Sequence, residues 1–200
     1  MPSPIGSSSS RGGNGSLLWY AHIRALRPAN FSDYTSHLLR LGQECRRARF
    51  GNYVSDGFVR AYAERFDPSN TLVLGCFDGN EMRGAAELRS LESDWGRRAE
   101  IAFSAEKPWR GLGIGTALMC HAIAAARQLA LEQIFLSCHA FNRPMVRIAE
   151  RAAAQLDFSD CECLATIAVA KNLCPDMACE LSDAVTVLNL PRSHGSPIGD

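Results

Sequence analysis

The residues best spaced for chemistry in this chain are Arg110-x-x-Gly113-x-Gly115. Glycine-rich backbone can turn its N–H groups onto an anion, because glycine accepts positive φ and allows close approach. Upstream, Ala99 to Ala105 alternates like a strand, with Ile101 and Phe103 opposed to Glu100, Ala102 and Ser104. Downstream, Ile114, Leu118, Ala122, Ala125 and Leu129 recur at steps of three and four, which is a helix face. Strand, glycine loop and helix together set the positive end of a helix dipole behind bare N–H groups, so a phosphate-bearing ligand is expected. Two common phosphate loops are excluded. G-x-G-x-x-G fails because Thr116 or Leu118 stands where the third glycine belongs, and no Gly-Lys-Ser/Thr follows to make a Walker loop.

Two carboxylates stand close to this stretch, Glu100 in A-E-I-A-F and Glu87 in A-A-E-L. Flanked by apolar strand residues, a carboxylate is desolvated and its pKa rises toward the range useful to a general base. An outward-facing, solvated glutamate is the other reading for Glu100. Further on, Glu132 to Ser137 (EQIFLS) reads as a strand and leads to Asn142-Arg143-Pro144-Met145. The helix that follows carries Met145, Ile148, Ala149, Ala152 and Ala153 on one face. Asn142 is a good helix N-cap. Cys138 and His139 do not make a nucleophile and base, since adjacent strand residues point to opposite faces.

Taken together, the strand, the Arg110-x-x-Gly113-x-Gly115 loop and the later strand–Asn142–helix block resemble the GNAT N-acetyltransferase superfamily. Its coenzyme A loop reads (Arg/Gln)-x-x-Gly-x-(Gly/Ala) between a strand and a helix. The resemblance spans roughly residues 16–171 and is most specific from Ala99 to Leu156. It implies an α/β (α+β) fold: a mixed, mostly antiparallel sheet of about six to seven strands flanked by helices. The two central parallel strands of that fold splay into a V. It also implies acetyl-CoA as co-substrate and a primary amine as acceptor, attacked directly. Backbone N–H groups of Gly111, Leu112, Gly113, Ile114, Gly115 and Thr116 would hold the pyrophosphate, with Arg110 adding charge. Phe103, Ser104 and Ala105 would pair with the pantetheine arm, and a free strand N–H there would polarise the thioester. Asn142 would stand near the same arm. Glu100 would be the general base, directly or through a water, with Glu87 as second choice.

One departure from the family pattern matters. Where many members carry a tyrosine to protonate the leaving thiolate, this chain has Ala149, so the general acid is unassigned and solvent could serve. That loss keeps an alternative open, a non-catalytic acyl-CoA-binding or regulatory module. The acceptor stays open between a small molecule and a protein lysine. Asp157, Asp160 and Glu162 could draw in a cationic amine or could simply be solvated.

The elements that must position these groups follow from the rest of the chain. Two hundred residues, 46% hydrophobic, suffice for one domain with a sizeable core. A formal net charge of zero gives no reason to expect nucleic acid or a membrane surface as partner. No apolar stretch is long enough to span a bilayer. Eight cysteines without a Cys-x-x-Cys pair suggest reduced thiols in a cytoplasmic protein and no metal centre. Residues 1–15 (MPSPIGSSSSRGGNG) read as a disordered tail, 16–171 as the domain, and 172–200 as an extension whose Met177 to Leu190 could be helical. A monomer or homodimer is expected. Helical regions are expected from Pro28 through Arg46 and from Ser55 through Arg65, with Arg46-Arg47-Ala48-Arg49 as a solvated basic face. Strands are expected at Ala21 to Leu26, Thr71 to Phe77, Met82 to Leu88, Leu156 to Phe158 and Leu164 to Val169.

Overall fold

In the computed structural model, residues 22–92 and 95–171 are described. The expected tail and C-terminal extension lie outside these residues. Among the described residues, seven strands form one sheet: β1 (Ile23–Ala25), β2 (Thr71–Asp78), β3 (Glu81–Ser90), β4 (Arg98–Ala105), β5 (Gln133–His139), β6 (Gln155–Ser159) and β7 (Glu162–Ala168). Their order is β1-β2-β3-β4-β5-β7-β6. Every neighbouring pair is antiparallel except β4 and β5, which are parallel. The β2–β3 hairpin turns on Gly79 at φ 57°, a conformation that glycine adopts without strain.

Among the described residues, five α-helices flank the sheet: α1 (Phe31–Arg40), α2 (Gln43–Phe50), α3 (Asp56–Glu64), α4 (Ile114–Gln128) and α5 (Arg143–Arg151). The strand period of two sorts them onto opposite faces. Leu72, Leu74, Ala86, Leu88, Ala99 and Ile101 join α4 and α5 in an aliphatic layer with Ile134, Leu136 and Ile167. Their sequence neighbours Val73 and Ala85 pack instead with Tyr34, Leu38, Cys45 and Val59 of α1–α3. Each fully buried side chain of leucine or isoleucine size contributes about 1.5–3 kcal/mol.

Two local expectations are corrected. The helical region after Pro28 is not continuous to Arg46: Leu41 is extended, and a second helix starts after Gly42 and runs on to Phe50. Nor is the basic run a solvated face. Arg46 is 4% exposed, and its guanidinium donates to the carbonyls of Leu41 (3.0 Å), Leu39 (2.8 Å) and Val54 (3.3 Å). It thereby ties off the break between α1 and α2, supplying donors to carbonyls that the helix end leaves without partners. Arg49 is turned inward as well, and only Arg47 and Ala48 of the run are exposed. As expected, Ser55 caps α3, its Oγ accepting from the Phe58 N–H at 3.2 Å.

Candidate active site

The site is built around the place where β4 and β5 part. Their register runs Arg98↔Gln133, Ala99↔Ile134, Glu100↔Phe135, and stops there. From Ile101 to Ala105, β4 keeps its antiparallel bonds to β3 on one edge but has no β5 residue opposite on the other. A strand edge freed in this way presents backbone N–H and C=O groups to whatever enters the gap. Phe103, Ser104 and Ala105 all lie in the freed segment. Phe103 packs on the aliphatic layer, Ser104 is 8% exposed, and Ala105 is half-buried.

Beyond β4 the chain makes one 3-10 turn, Lys107–Trp109, and enters the glycine loop. Gly111 and Gly113 take φ 76° and 90°, the left-handed region that the loop needs in order to turn into α4. The first intrahelical bond of α4 runs from the Ala117 N–H to the Gly113 carbonyl at 3.0 Å. The N–H groups of Ile114, Gly115 and Thr116 therefore have no acceptor within the helix, which is the geometry of a helix-end anion site. Gly115 has a different task from its neighbours: a Cβ there would stand 2.6 Å from Ile148 Cδ1, so its bareness lets α5 lie against α4. Leu112 is exposed, while Ile114 is buried beneath the helix start. Arg110 is exposed, and its Nε donates to the Ala105 carbonyl at 3.2 Å, folding the side chain back over the end of β4. Asn142 caps α5, its Oδ1 accepting from the Met145 N–H at 3.4 Å.

The two candidate bases have opposite surroundings. Glu100 is exposed on β4, opposite Arg89 of β3, so of its two sequence readings the outward-facing one holds and its apolar neighbours do not bury it. Glu87 is buried and saturated. Its Oε2 accepts from Tyr34 Oη (2.7 Å) and Arg49 Nη2 (2.9 Å), and its Oε1 from Tyr62 Oη (2.6 Å) and Arg89 Nη2 (2.8 Å). Burial works to raise its pKa. The Arg49 charge, the two tyrosine hydroxyls and Arg89 outweigh it and hold the carboxyl below its usual value. Burial also pushes the tyrosines up, Tyr62 to about 12, so both keep their protons for Glu87. Such a carboxylate has no free lone pair to offer a substrate and is a cross-link between β3 and α1–α3.

Sequence reading missed a second cluster on the same face. His37 of α1 is fully buried, with Nε2 2.9 Å from Ser104 Oγ and Nδ1 3.4 Å from Glu106 Oε1. Glu106 also accepts from Arg40 Nε (2.9 Å) and Arg83 Nη1 (3.1 Å). Burial favours the neutral form of both groups. It lowers the His37 pKa, whereas in Glu106 the bonds from His37 and Arg40 win and bring the carboxyl to about 2. A lone histidine 67 residues from its serine leaves no local pattern to find. A cavity of about 540 Å³ lies beside this cluster, bounded by Arg40, Gly42, Cys45, Glu106, Lys107 and Pro108.

The profile of the Acetyltransferase (GNAT) family matches residues 36–153, more than half of the chain. The chain belongs to the GNAT acetyltransferase family. The GNAT domain of Streptomyces lividans PAT has the same fold at 18% identity and a TM-score of 0.61, covering 73% of this chain and 89% of that one. PaiA N-acetyltransferase from Thermoplasma acidophilum, solved in complex with coenzyme A, matches at 14% identity and TM-score 0.54, covering 73% and 98%. Ribosomal-protein-alanine N-acetyltransferase from Brucella melitensis matches at 15% identity and TM-score 0.54, covering 72% and 96%. No curated protein matches the sequence. The GNAT membership and the mixed seven-stranded sheet agree with the fold expected from the sequence, including the parallel β4–β5 pair that opens into a V. Among the described residues, no helix is long and apolar enough to cross a membrane.

Proposed function

We propose that this GNAT acetyltransferase moves an acetyl group from acetyl-CoA to a primary amine by direct attack. The observation that carries the reading is the gap between β4 and β5 with the start of α4 beyond it. One free strand edge and one bare helix N-terminus follow each other along the chain, matching the two ends of coenzyme A, an amide-rich arm and a pyrophosphate. The N–H groups of Gly111 to Thr116 hold the phosphates, with Arg110 at their rim. The freed backbone of Phe103 to Ala105 pairs with the arm and polarises the thioester carbonyl, so that an N–H meets the oxygen as it becomes an oxyanion. Asn142, at the start of α5, flanks the arm from the β5 side.

Glu100 is the general base of this reading. An incoming amine is an ammonium ion at neutral pH and has no lone pair until it gives up a proton. A solvated carboxylate on β4 takes that proton through a water. Glu87 drops out, because its four donors leave no lone pair free. The acceptor is an amine on a small molecule or a protein lysine, in a cytoplasmic monomer or homodimer. A module that binds acyl-CoA without turnover is the second reading, favoured by Ala149, buried where many relatives carry the acid.

Calorimetric titration of acetyl-CoA into the wild type and a Gly113→Glu variant tests the cofactor. The expected result is binding that the variant loses, because the new carboxylate stands where phosphate should go. Absence of binding by folded wild type sinks the proposal. An amine panel with Glu100→Gln beside it then separates the two readings: turnover that falls by about 10²-fold or more with affinity intact supports the base.

A further inference from the structure

Freeing the amine is only the first of two proton transfers that acetyl transfer requires. Once the neutral amine has attacked, its nitrogen carries a surplus proton and the departing sulfur lacks one. The position from which many relatives protonate sulfur is Ala149, 1% exposed in the aliphatic layer, and it has nothing to donate.

The opposite face of β4 offers what that helix does not. Glu100, Ala102 and Ser104 share this face by strand alternation, and all three stand at or beyond the point where β5 leaves. Ser104 lies about 7 Å along the strand from Ala102, and Glu100 about 7 Å the other way. Ala102 between them is half-buried and brings only a methyl group, so an acceptor seated over it has a carboxylate on one side and a hydroxyl on the other. Behind the hydroxyl stand His37 at 2.9 Å and Glu106 at 3.4 Å from the far ring nitrogen. Glu106 is anionic, gripped by Arg40 and Arg83, so it selects the tautomer with hydrogen on Nδ1. Nε2 is then an acceptor, and Ser104 Oγ–H must point at it. Hydroxyl, imidazole and orienting carboxylate in this order form a proton-accepting unit.

We propose that Ser104 and His37 form the proton shuttle of acetyl transfer, carrying the second amine proton from nitrogen to sulfur. This rests on the acetyl-CoA reading above. Attack forms the C–N bond and leaves negative charge on the carbonyl oxygen. Ser104 Oγ takes the proton from nitrogen while its own passes to His37 Nε2, giving an imidazolium next to the Glu106 carboxylate. The carbonyl re-forms and the C–S bond breaks, its electron pair leaving with sulfur. The proton then returns through Ser104 to sulfur, leaving amide, thiol and neutral His37. One group acts as base and then as acid, and no tyrosine is needed. Ser104 touches the substrate; His37 acts through it, and Glu106 is a positioning residue.

Three readouts test the shuttle. With the best amine of the panel, Ser104→Ala is expected to lower kcat about 10²-fold while calorimetric acetyl-CoA affinity stays within twofold, and Ser104→Thr recovers most of the loss. The Ser104→Ala/His37→Gln double variant should be no slower than the worse single one, since groups acting as a unit are not additive. Nitrogen-15 NMR of the free wild type should show His37 protonated on Nδ1, with an Nε2 resonance that shifts in Ser104→Ala. A kcat within twofold in Ser104→Ala, losses that multiply in the double variant, or a proton on Nε2 each overturns the shuttle. If His37→Gln does not fold, the serine variants and the NMR decide. Wild type that binds no acetyl-CoA overturns the shuttle together with the function beneath it, whereas binding and turnover with an unaffected Ser104→Ala overturn the shuttle alone.

Discussion

On β3, Glu87 and Leu88 are consecutive and both almost fully buried, at 4% and 1% exposure, yet they face different interiors. Leu88 points into the aliphatic layer beneath α4 and α5, where van der Waals contact and removal from water do the work. Glu87 points beneath α1–α3 into a cluster of two arginines and two tyrosines. The same alternation on β4 divides Ile101 from Ser104, which reaches His37. One face of the sheet thus supplies stability that depends little on pH, and the other concentrates oriented charge. The acceptor of the proposed reaction approaches on the charged face. A buried ion cluster is weak in net stabilisation but severe when broken, because a charge left behind has no water to turn to.

The contrast can be broken most forcefully at Glu87. Glu87→Gln removes the anion and leaves Arg49 buried without its counter-charge, and a loss of about 3–5 kcal/mol in urea unfolding is expected. Leu118→Ala on the other face should cost about 2–5 kcal/mol through lost contact and a cavity. That loss should be the same at pH 7 and pH 4, whereas the Glu87→Gln loss should hold from pH 7 to about pH 5 and shrink only below the unfolded carboxylate pKa of roughly 4.3, as acid protonates the wild-type carboxylate.

A pH series on the wild type sharpens the distinction. Glu87 and Glu106 titrate lower in the folded chain than in the unfolded one, Glu106 at about 2. Their contribution is therefore complete above the unfolded carboxylate pKa of roughly 4.3 and is lost as pH falls through the folded values. His37 acts in the same direction by another route. Burial lowers its pKa, so below about 6.5 the unfolded chain binds a proton that the folded one refuses, and stability declines from there. Tm should fall gently below about pH 6.5 and steeply below about pH 4.5; a Tm that rises on acidification to pH 5 would contradict this account.

Smaller effects are expected where α4 meets α5 and at the open end of β4. Gly115→Ala places a methyl against Ile148 Cδ1, the movable end of that side chain, and should cost about 1 kcal/mol or less, regained in Ile148→Val, which lacks that atom. Glu100→Gln, exposed and unburied, should change stability by no more than about 0.5 kcal/mol. A large loss in that variant would place Glu100 among the structural carboxylates beside Glu87.

Much of this molecule was open to reading along the chain. Strand alternation at Ala99 to Ala105, the glycines at 111, 113 and 115 and the apolar step of Ile114 to Leu129 are local patterns, and local sterics and helix geometry give them one meaning. They sufficed for the family, for the order of strand, loop and helix, and for the bare helix start. The Asn142 cap was equally local, since its partner is three residues away.

What pattern could not decide was which polar side chains meet across the sheet. Arg46 and Arg49 look like surface charges in a helix, and only the placement of α2 over the sheet, against β4, turns Arg49 onto Glu87 of β3, 38 residues away. A-E-I-A-F around Glu100 and A-A-E-L around Glu87 carry the same apolar flanks, yet one glutamate is solvated and the other sealed. The physical reason is that burial of a strand residue depends on what covers its face, and α1–α3 cover β3 at Glu87 but leave Glu100 open. His37, Ser104 and Glu106 come from α1, β4 and the turn after it, and no periodicity links them. Sequence alone determined the frame and the loop; the tertiary fold chose which charges were buried and brought the hydroxyl, imidazole and carboxylate into line.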